Sequence, residues 1–131
     1  MESAVSLIGL LAWLQAKHFA ADYVLQPAWI LRGKGDFRHP GGYAHAAVHA
    51  LGTVPGLLLF GLNGLPVAVL ALSEFTGHFL IDHVKAIHSR NHPAAVTTRA
   101  FWAAHGLDQL LHHLTYTLLL LAVMGYPWHS K

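Results

Sequence analysis

The sequence predicts an all-α membrane protein, a single domain (1–131) of four transmembrane helices packed as an antiparallel bundle. Hydrophobic residues make up 54% of the 131 residues and charged residues only 11%, against about 25% charged in typical soluble domains. Four segments are long and apolar enough to cross the roughly 30 Å hydrocarbon core of a bilayer. The glycine, proline and asparagine residues between these segments agree with the division.

The four predicted spans cover approximately residues 5–25, 43–62, 65–87 and 100–124. Pro27 and the segment GKGDFRHPGG separate the first span from the second, and Pro93 precedes the fourth. Asn63-Gly64 is a tight connection, so the second and third spans should form a helical hairpin. Whether the loop 27–42 contains a short interfacial helix stays open at this point.

The positions of basic residues predict the orientation. Arg32, Lys34 and Arg38 lie in the first loop and Arg90 and Arg99 in the third, whereas the turn between the second and third spans has none. By the positive-inside rule, the first and third loops face the cytoplasm. We therefore expect a multi-pass protein of the bacterial inner membrane with periplasmic termini.

Composition excludes or disfavours other classes of protein. The chain has no cysteine, which excludes disulfide scaffolds, thiolate metal sites and iron–sulfur clusters. Its net charge of +2 comes from basic residues scattered through short connections, and no basic stripe indicates nucleic acid as a partner. The expected surroundings are a lipid bilayer.

Polar residues recur four positions apart on the predicted spans, which places each set on one face of its helix. In the predicted topology, all the sets lie in the cytoplasmic half of the bilayer. Ionisable residues inside a membrane cost about 2.5–3.5 kcal/mol on insertion scales and normally face a partner in the bundle interior. The sets comprise nine acidic and imidazole residues: His18, Asp22, His45, His49, Glu74, His78, Asp82, Asp108 and His112.

We expect the shared partner to be one or two divalent transition-metal ions, because imidazole and carboxylate are ligands of zinc, iron and manganese. Zinc is the first choice, with iron or manganese as alternatives. The predicted metal ligands are His18, Asp22, His45, His49, His78, Asp82, Asp108 and His112. A single histidine pair on a helix is more often a polar contact, but the coincidence on four helices favours a metal site.

The remaining polar residues of the spans receive supporting roles. Glu74, Asp82 and Lys85 are the predicted catalytic residues, with Glu74 as a general base. Snorkelling to the interface is the alternative for Lys85. Gln26 and Gln109 are expected to orient ligands or substrate.

Other aromatic and imidazole residues are expected to serve the membrane interface. Aromatic residues near the span ends predict an aromatic belt: Trp13, Trp29, Trp102, Trp128, Tyr23, Tyr43 and Tyr126. Six histidines are expected to be interfacial or solvated: His83, His88, His92, His105, His113 and His129.

Four stretches resemble, in order and spacing, the bacterial membrane-protein family called domain of unknown function 3307: KHFAADYVLQ (17–26), HAAVH (45–49), EFTGHFLIDHVK (74–85) and DQLLHH (108–113). The resemblance spans nearly the whole chain and implies no assigned activity. More loosely, the helical His/Asp pattern is similar to that of bacterial inner-membrane metal-dependent hydrolases, from which no catalytic residue is carried over.

The sequence favours a membrane-embedded metal-dependent hydrolase that acts on a lipid or another membrane-associated ester or phosphoester. A non-enzymatic protein that binds or transports metal ions or protons is the alternative, although TVPGLLLFGL and TYTLLLLAVMGY give the other half of the spans little polar lining. A di-iron or haem redox protein is a further alternative, weakened by the lack of a Glu-x-x-His motif. A homodimer that closes the bundle also stays open.

Overall fold

The computed structural model describes residues 4–125, and every regular element among them is helical. The helices are α1 (Ala4–Phe19), α2 (Ala28–Gly33), α3 (Pro40–Leu59), α4 (Leu65–Asn91) and α5 (Arg99–Gly125), and a π-helical turn, Ala20–Val24, extends α1. The all-α fold class is therefore confirmed. Predictions for Tyr126, Trp128 and His129 lie outside the described residues.

Within residues 4–125, three helical segments, not the four predicted, are long and apolar enough to cross a membrane: Ala4–Val24, Leu65–Asn91 and Arg99–Gly125. The predicted second span, 43–62, is not among them, although α3 covers most of it. Composition is the physical reason. Helix α3 begins Pro-Gly-Gly, carries His45 and His49, and contains Pro55 in its second half, so its mean hydropathy falls short of that of a lipid-exposed span.

Helix α3 instead packs closely against its neighbours, contacting α1, α2 and α4. Small residues on its buried face permit this close approach. At the crossing with α1, the indole Nε1 of Trp13 donates to the carbonyl of Gly52 at 2.8 Å. A Cβ placed on Gly56 would lie 2.5 Å from the Trp13 ring. Trp13, expected in an aromatic belt, therefore serves a helix contact.

The helices contact one another in the order α1, α3, α4, α5, and α5 returns to α1. Helix α1 and its π-helical extension both contact α3. Trp13 pairs with Gly52 and Asp22 pairs with His45, so residue numbers rise along one helix and fall along the other. The side-chain pairs between α4 and α5, and those between α5 and α1, show the same opposite running of residue numbers. This arrangement brings the polar turns of separate helices to one level.

The two halves of the helices differ in chemistry. One half contains a buried apolar cluster: Leu10, Leu14, Leu57, Leu62, Val67, Leu70, Tyr116, Leu119 and Val123. The other half holds the buried histidines and carboxylates. Large apolar side chains such as Leu59, Leu72 and Leu118 are exposed on the outer surface. A polar interior with an apolar exterior suits a bilayer, where polar groups must be satisfied inside the protein.

The connections between the helices show how the chain turns from one helix to the next. Gly64 has a φ of 59°, in the region that favours glycine, and immediately precedes α4. The loop 27–42 does contain a short helix, α2. It packs on α3, and His39 then caps α3 by accepting from the Gly41 N–H at 3.0 Å. The first loop is thus folded back onto the helices.

Candidate metal centre

Two adjoining groups of side chains could each hold a metal ion. The first group is Asp22, His45, His49 and His78, and the second is His78, Asp82 and His112; in each, the ligand atoms lie within 4.8 Å of one another. The residues come from the π-helical turn, α3, α4 and α5. The structure thus brings together six of the eight predicted ligands, and His78 belongs to both groups.

The π-helical turn delivers Asp22. Leu25 N–H donates to the Ala20 carbonyl at 2.9 Å, which gives the wider turn, and such turns occur frequently at functional sites. Oδ1 of Asp22 lies 3.0 Å from Nε2 of His49 and 3.1 Å from Nε2 of His45. Within residues 4–125, Asp22 pairs with imidazoles and has no lysine or arginine partner. Its negative charge is therefore available to a cation.

His45 is completely buried, and neither of its ring nitrogens has a hydrogen-bond partner in the described part of the chain. Nε2 lies close to two carboxylates, 3.1 Å from Asp22 and 3.4 Å from Asp82, but neither contact has hydrogen-bond geometry. Leaving a buried polar group unsatisfied costs about 1–3 kcal/mol. A cation between the imidazole and the carboxylates would satisfy all three groups.

The hydrogen bond of His112 identifies which nitrogen would bind a metal. The backbone carbonyl of Asp108 can only accept, so Nδ1 of His112, 2.8 Å away, carries a proton. In the neutral ring, Nε2 then holds a lone pair, and it faces Oδ1 of Asp82 at 3.6 Å. In this neutral form two acceptors face each other, and a cation bound between them would make the contact favourable. Bonding of the far nitrogen to a carbonyl is the usual support of a metal-ligating histidine.

Two lysines pair with the other carboxylates of the site. Nζ of Lys34 lies 2.7 Å from Asp82, and Nζ of Lys85 lies 3.2 Å from Asp108. Lys85 therefore makes an ion pair in addition to reaching towards the surface, since its side chain is 36% exposed. Lys34 was not among the predicted site residues, because its position at the site depends on the folded-back first loop.

Glu74 lies outside both groups of candidate ligands. It accepts hydrogen bonds from Lys17 and Thr53, and Lys17 also donates to the His49 carbonyl at 3.0 Å. These contacts describe a buried ion pair one turn away from the candidate centre, and the role of Glu74 as general base stays a prediction. Lys17 was not among the predicted site residues, although a lysine within an apolar span normally needs an acidic partner.

His18 is also outside both groups but borders them. Its Nδ1 lies 2.9 Å from the Tyr116 hydroxyl and its Nε2 lies 3.1 Å from Oε1 of Gln109. Gln109 in turn donates to Asp22 at 3.4 Å, and Gln26 donates to the Asp22 carbonyl at 2.7 Å. Gln109 thus contacts the Asp22 carboxylate and Gln26 only its backbone, and the orienting roles of both glutamines stay predictions.

His83 corrects the expectation of an interfacial or solvated side chain. It is buried, Nδ1 lies 3.2 Å from the Lys34 carbonyl, and its ring centre lies 3.9 Å from that of Phe37. The folded-back first loop covers it, and helical periodicity cannot show such a cover. His88 and His92, by contrast, are exposed as expected.

A polar cleft of about 220 Å³ opens onto the centre. Its walls include the carboxylates of Asp22, Asp82 and Asp108 and the lysines Lys34 and Lys85. The cleft lies on the side of the first and third loops, whereas the apolar cluster closes the opposite side. A small polar or anionic group could therefore approach the candidate ligands from the side of the first and third loops.

The fold and the site define a small helical protein with membrane-length helices and a buried cluster of histidine and aspartate. A family model described as Protein of unknown function (DUF3307) matches residues 10–130. The chain belongs to this family, which confirms the resemblance seen in its motifs. Comparisons with curated proteins and with solved structures give no match.

Proposed function

We propose that the protein is a membrane-embedded metal-dependent hydrolase that acts on a membrane-associated ester or phosphoester. The observation that supports this most directly is the set of buried imidazole nitrogens of His45, His78 and His112 that lack hydrogen-bond partners among the described residues while facing carboxylates. Nitrogen and oxygen ligands without cysteine suit zinc first, then iron or manganese. Because a neutral imidazole offers one lone pair, His78 would complete one of the two groups at a time.

The residues of the chain supply the remaining requirements of hydrolysis. A metal ion bound at these ligands would polarise a substrate oxygen and activate water. Lys34 and Lys85 would attract a negatively charged substrate into the cleft. Oδ1 of Asp108 is buried, has no hydrogen-bond partner within residues 4–125, and borders the cleft. It is therefore placed to hold a proton during the reaction.

The arrangement in the membrane follows from the same observations. We propose that α1, α3, α4 and α5 form an antiparallel bundle in the bacterial inner membrane, with α3 packed between α1 and α4. The basic residues Arg32, Lys34, Arg38, Arg90 and Arg99 support loops one and three on the cytoplasmic side. The polar cleft then opens at the cytoplasmic leaflet, and both termini lie on the outer side.

Metal analysis of detergent-purified protein tests the centre. We expect one or two equivalents of transition metal, zinc first. His78→Ala removes the ligand common to both groups and should cost at least half of the bound metal. His88→Ala, which changes an exposed histidine of the same helix, is the matched control and should retain it. An unchanged content in His78→Ala, or an equal loss in the control, would contradict the assignment.

Activity separates the hydrolase from a second candidate, a metal transporter. The second candidate is favoured by the Lys17–Glu74 pair, which extends the polar interior one turn beyond the ligands. Reconstituted protein should hydrolyse p-nitrophenyl phosphate or p-nitrophenyl acetate in a metal-dependent manner, and His78→Ala should not. Metal-loaded protein that hydrolyses neither compound but carries zinc into liposomes would overturn the hydrolase proposal.

A further inference from the structure

An apolar groove of about 420 Å³ lies between α4 and α5, beside the polar cleft. Six aliphatic side chains form most of its wall: Leu80, Ile81, Val84, Ala104, Leu107 and Leu111. Lys85 and Asp108 line this groove and also line the cleft at the candidate metal centre. The two spaces therefore meet at this lysine and this carboxylate.

The groove opens to the outer surface of the protein. Leu80, Val84 and Leu107 are 50%, 65% and 57% exposed, so in a bilayer their side chains would contact hydrocarbon. The same two helices bound a further cavity of about 310 Å³ towards the apolar half, with Gly77 and Leu118 in its wall. An elongated apolar molecule could lie along this seam while its polar end stayed near Lys85.

We infer that the groove binds the acyl chain of an anionic phospholipid and that Lys85 receives the phosphate of its headgroup. This inference rests on the proposed function, because it assigns the substrate class of the same site. Charge complementarity supports an anionic lipid: Lys85 is the partly exposed cation at the junction, and its carboxylate partner is held 3.2 Å away by a single contact. The aliphatic walls match a hydrocarbon chain and offer nothing to a polar soluble substrate.

The polarity of the groove also agrees with the orientation of a bilayer lipid. Lys85 and His88 lie towards the third loop, whereas Leu80 and Leu111 lie at the level of His78 and His112 and continue towards the apolar half. A lipid headgroup at the cytoplasmic interface would therefore meet the lysine while its chain extended towards the bilayer centre. The phosphoester would lie next to the cleft.

Photolabelling tests the acyl-chain site. The full chain is placed in phosphatidylcholine nanodiscs with a phosphatidic acid that carries a diazirine on one acyl chain, and labelled peptides are mapped by mass spectrometry. We expect labels in 80–88 and 104–111. Leu107→Trp fills the groove and should lower labelling about tenfold. Leu110→Trp, on the same helix at a 53% exposed residue that does not line the groove, should label like the parent.

A diacylglycerol with the same photoreactive chain tests the contact of Lys85 with the headgroup, because this lipid lacks the phosphate. Lys85→Gln should lower labelling by phosphatidic acid about tenfold, leave labelling by diacylglycerol unchanged, and be rescued by Lys85→Arg. Equal labelling of the parent by both lipids, or labels confined to other helices, would overturn the inference. Ala104→Phe replaces Leu107→Trp if that variant does not fold.

Metal content measured on the same samples separates the two proposals. Loss of specific labelling in protein that retains its metal would reject the lipid site and leave the hydrolase proposal standing. Specific labelling in protein that never contains metal would support the lipid site and reject the metal-dependent hydrolase.

Discussion

The Lys17–Glu74 pair shows how a charged residue within a span can be explained without chemistry on a substrate. The two side chains are only 8% and 3% exposed, and Thr53 donates a second hydrogen bond to Glu74. The Lys17 ammonium also lies 5.0 Å from the centre of the Tyr116 ring, a cation–π distance. We interpret the pair as a structural neutralisation of two buried charges.

This interpretation predicts that Glu74→Ala is strongly destabilising, because it leaves a buried ammonium without its partner. The expected loss is about 3–5 kcal/mol in the free energy of unfolding, measured by denaturant titration in detergent. The double variant Lys17→Met/Glu74→Leu removes both charges and should recover most of the stability and the full metal content. A stable double variant that has its metal but no activity would instead indicate that Glu74 acts in catalysis.

At the scale of helices, the crossing of α1 and α3 positions the first group of ligands. Trp13 is fixed on Gly52 by its indole hydrogen bond and covers Gly56. One turn further along α1, Lys17 bonds the His49 carbonyl at 3.0 Å. This crossing thus sets the separation between Asp22 and the two histidines of α3.

Gly56→Val should disturb this crossing, since its Cβ would lie 2.5 Å from the Trp13 ring. We expect a loss of about 1–3 kcal/mol in unfolding free energy together with weaker metal binding. Gly9→Ala on α1 is the control, because a Cβ there meets nothing within 4 Å, and it should be neutral or slightly stabilising. Equal stability of both variants would show that the close approach at Gly56 is not required.

At the scale of the whole molecule, the candidate centre joins four segments that are far apart in the sequence. The π-helical turn, α3, α4 and α5 each contribute at least one ligand. A metal that binds only the folded chain stabilises it, by about 2.7 kcal/mol when the free metal is at 100 times its dissociation constant. The ion would therefore act as a tertiary cross-link.

Chelation should accordingly lower the melting temperature of the purified protein, and added zinc should restore it. His78→Ala, which lacks the ligand shared by both groups, should melt at the lower temperature with or without chelator. Thermal unfolding in one detergent, followed by circular dichroism, measures all five samples. If the melting temperature of the parent protein changed with neither chelator nor zinc, a cross-linking metal would be contradicted.

The sequence by itself determined the all-helical class, the turn at Asn63-Gly64 and the family. These are local properties: apolar length, breaker residues and motif spacing are written along the chain. It also indicated which polar residues would meet, because spacing by four places residues such as His45 and His49 on one face. Six of the eight predicted ligands do lie together.

Only the tertiary structure decided which of those residues belong to each ligand group and which form ion pairs instead. Helical spacing does not fix the rotation of one helix against another, so the pairing of Glu74 with Lys17 and the sharing of His78 could not be read from the sequence. The place of Lys34 beside Asp82 depends on the return of the first loop. The low hydropathy of α3 follows from its own composition, whereas its contacts with α1, α2 and α4 are a property of the assembled fold.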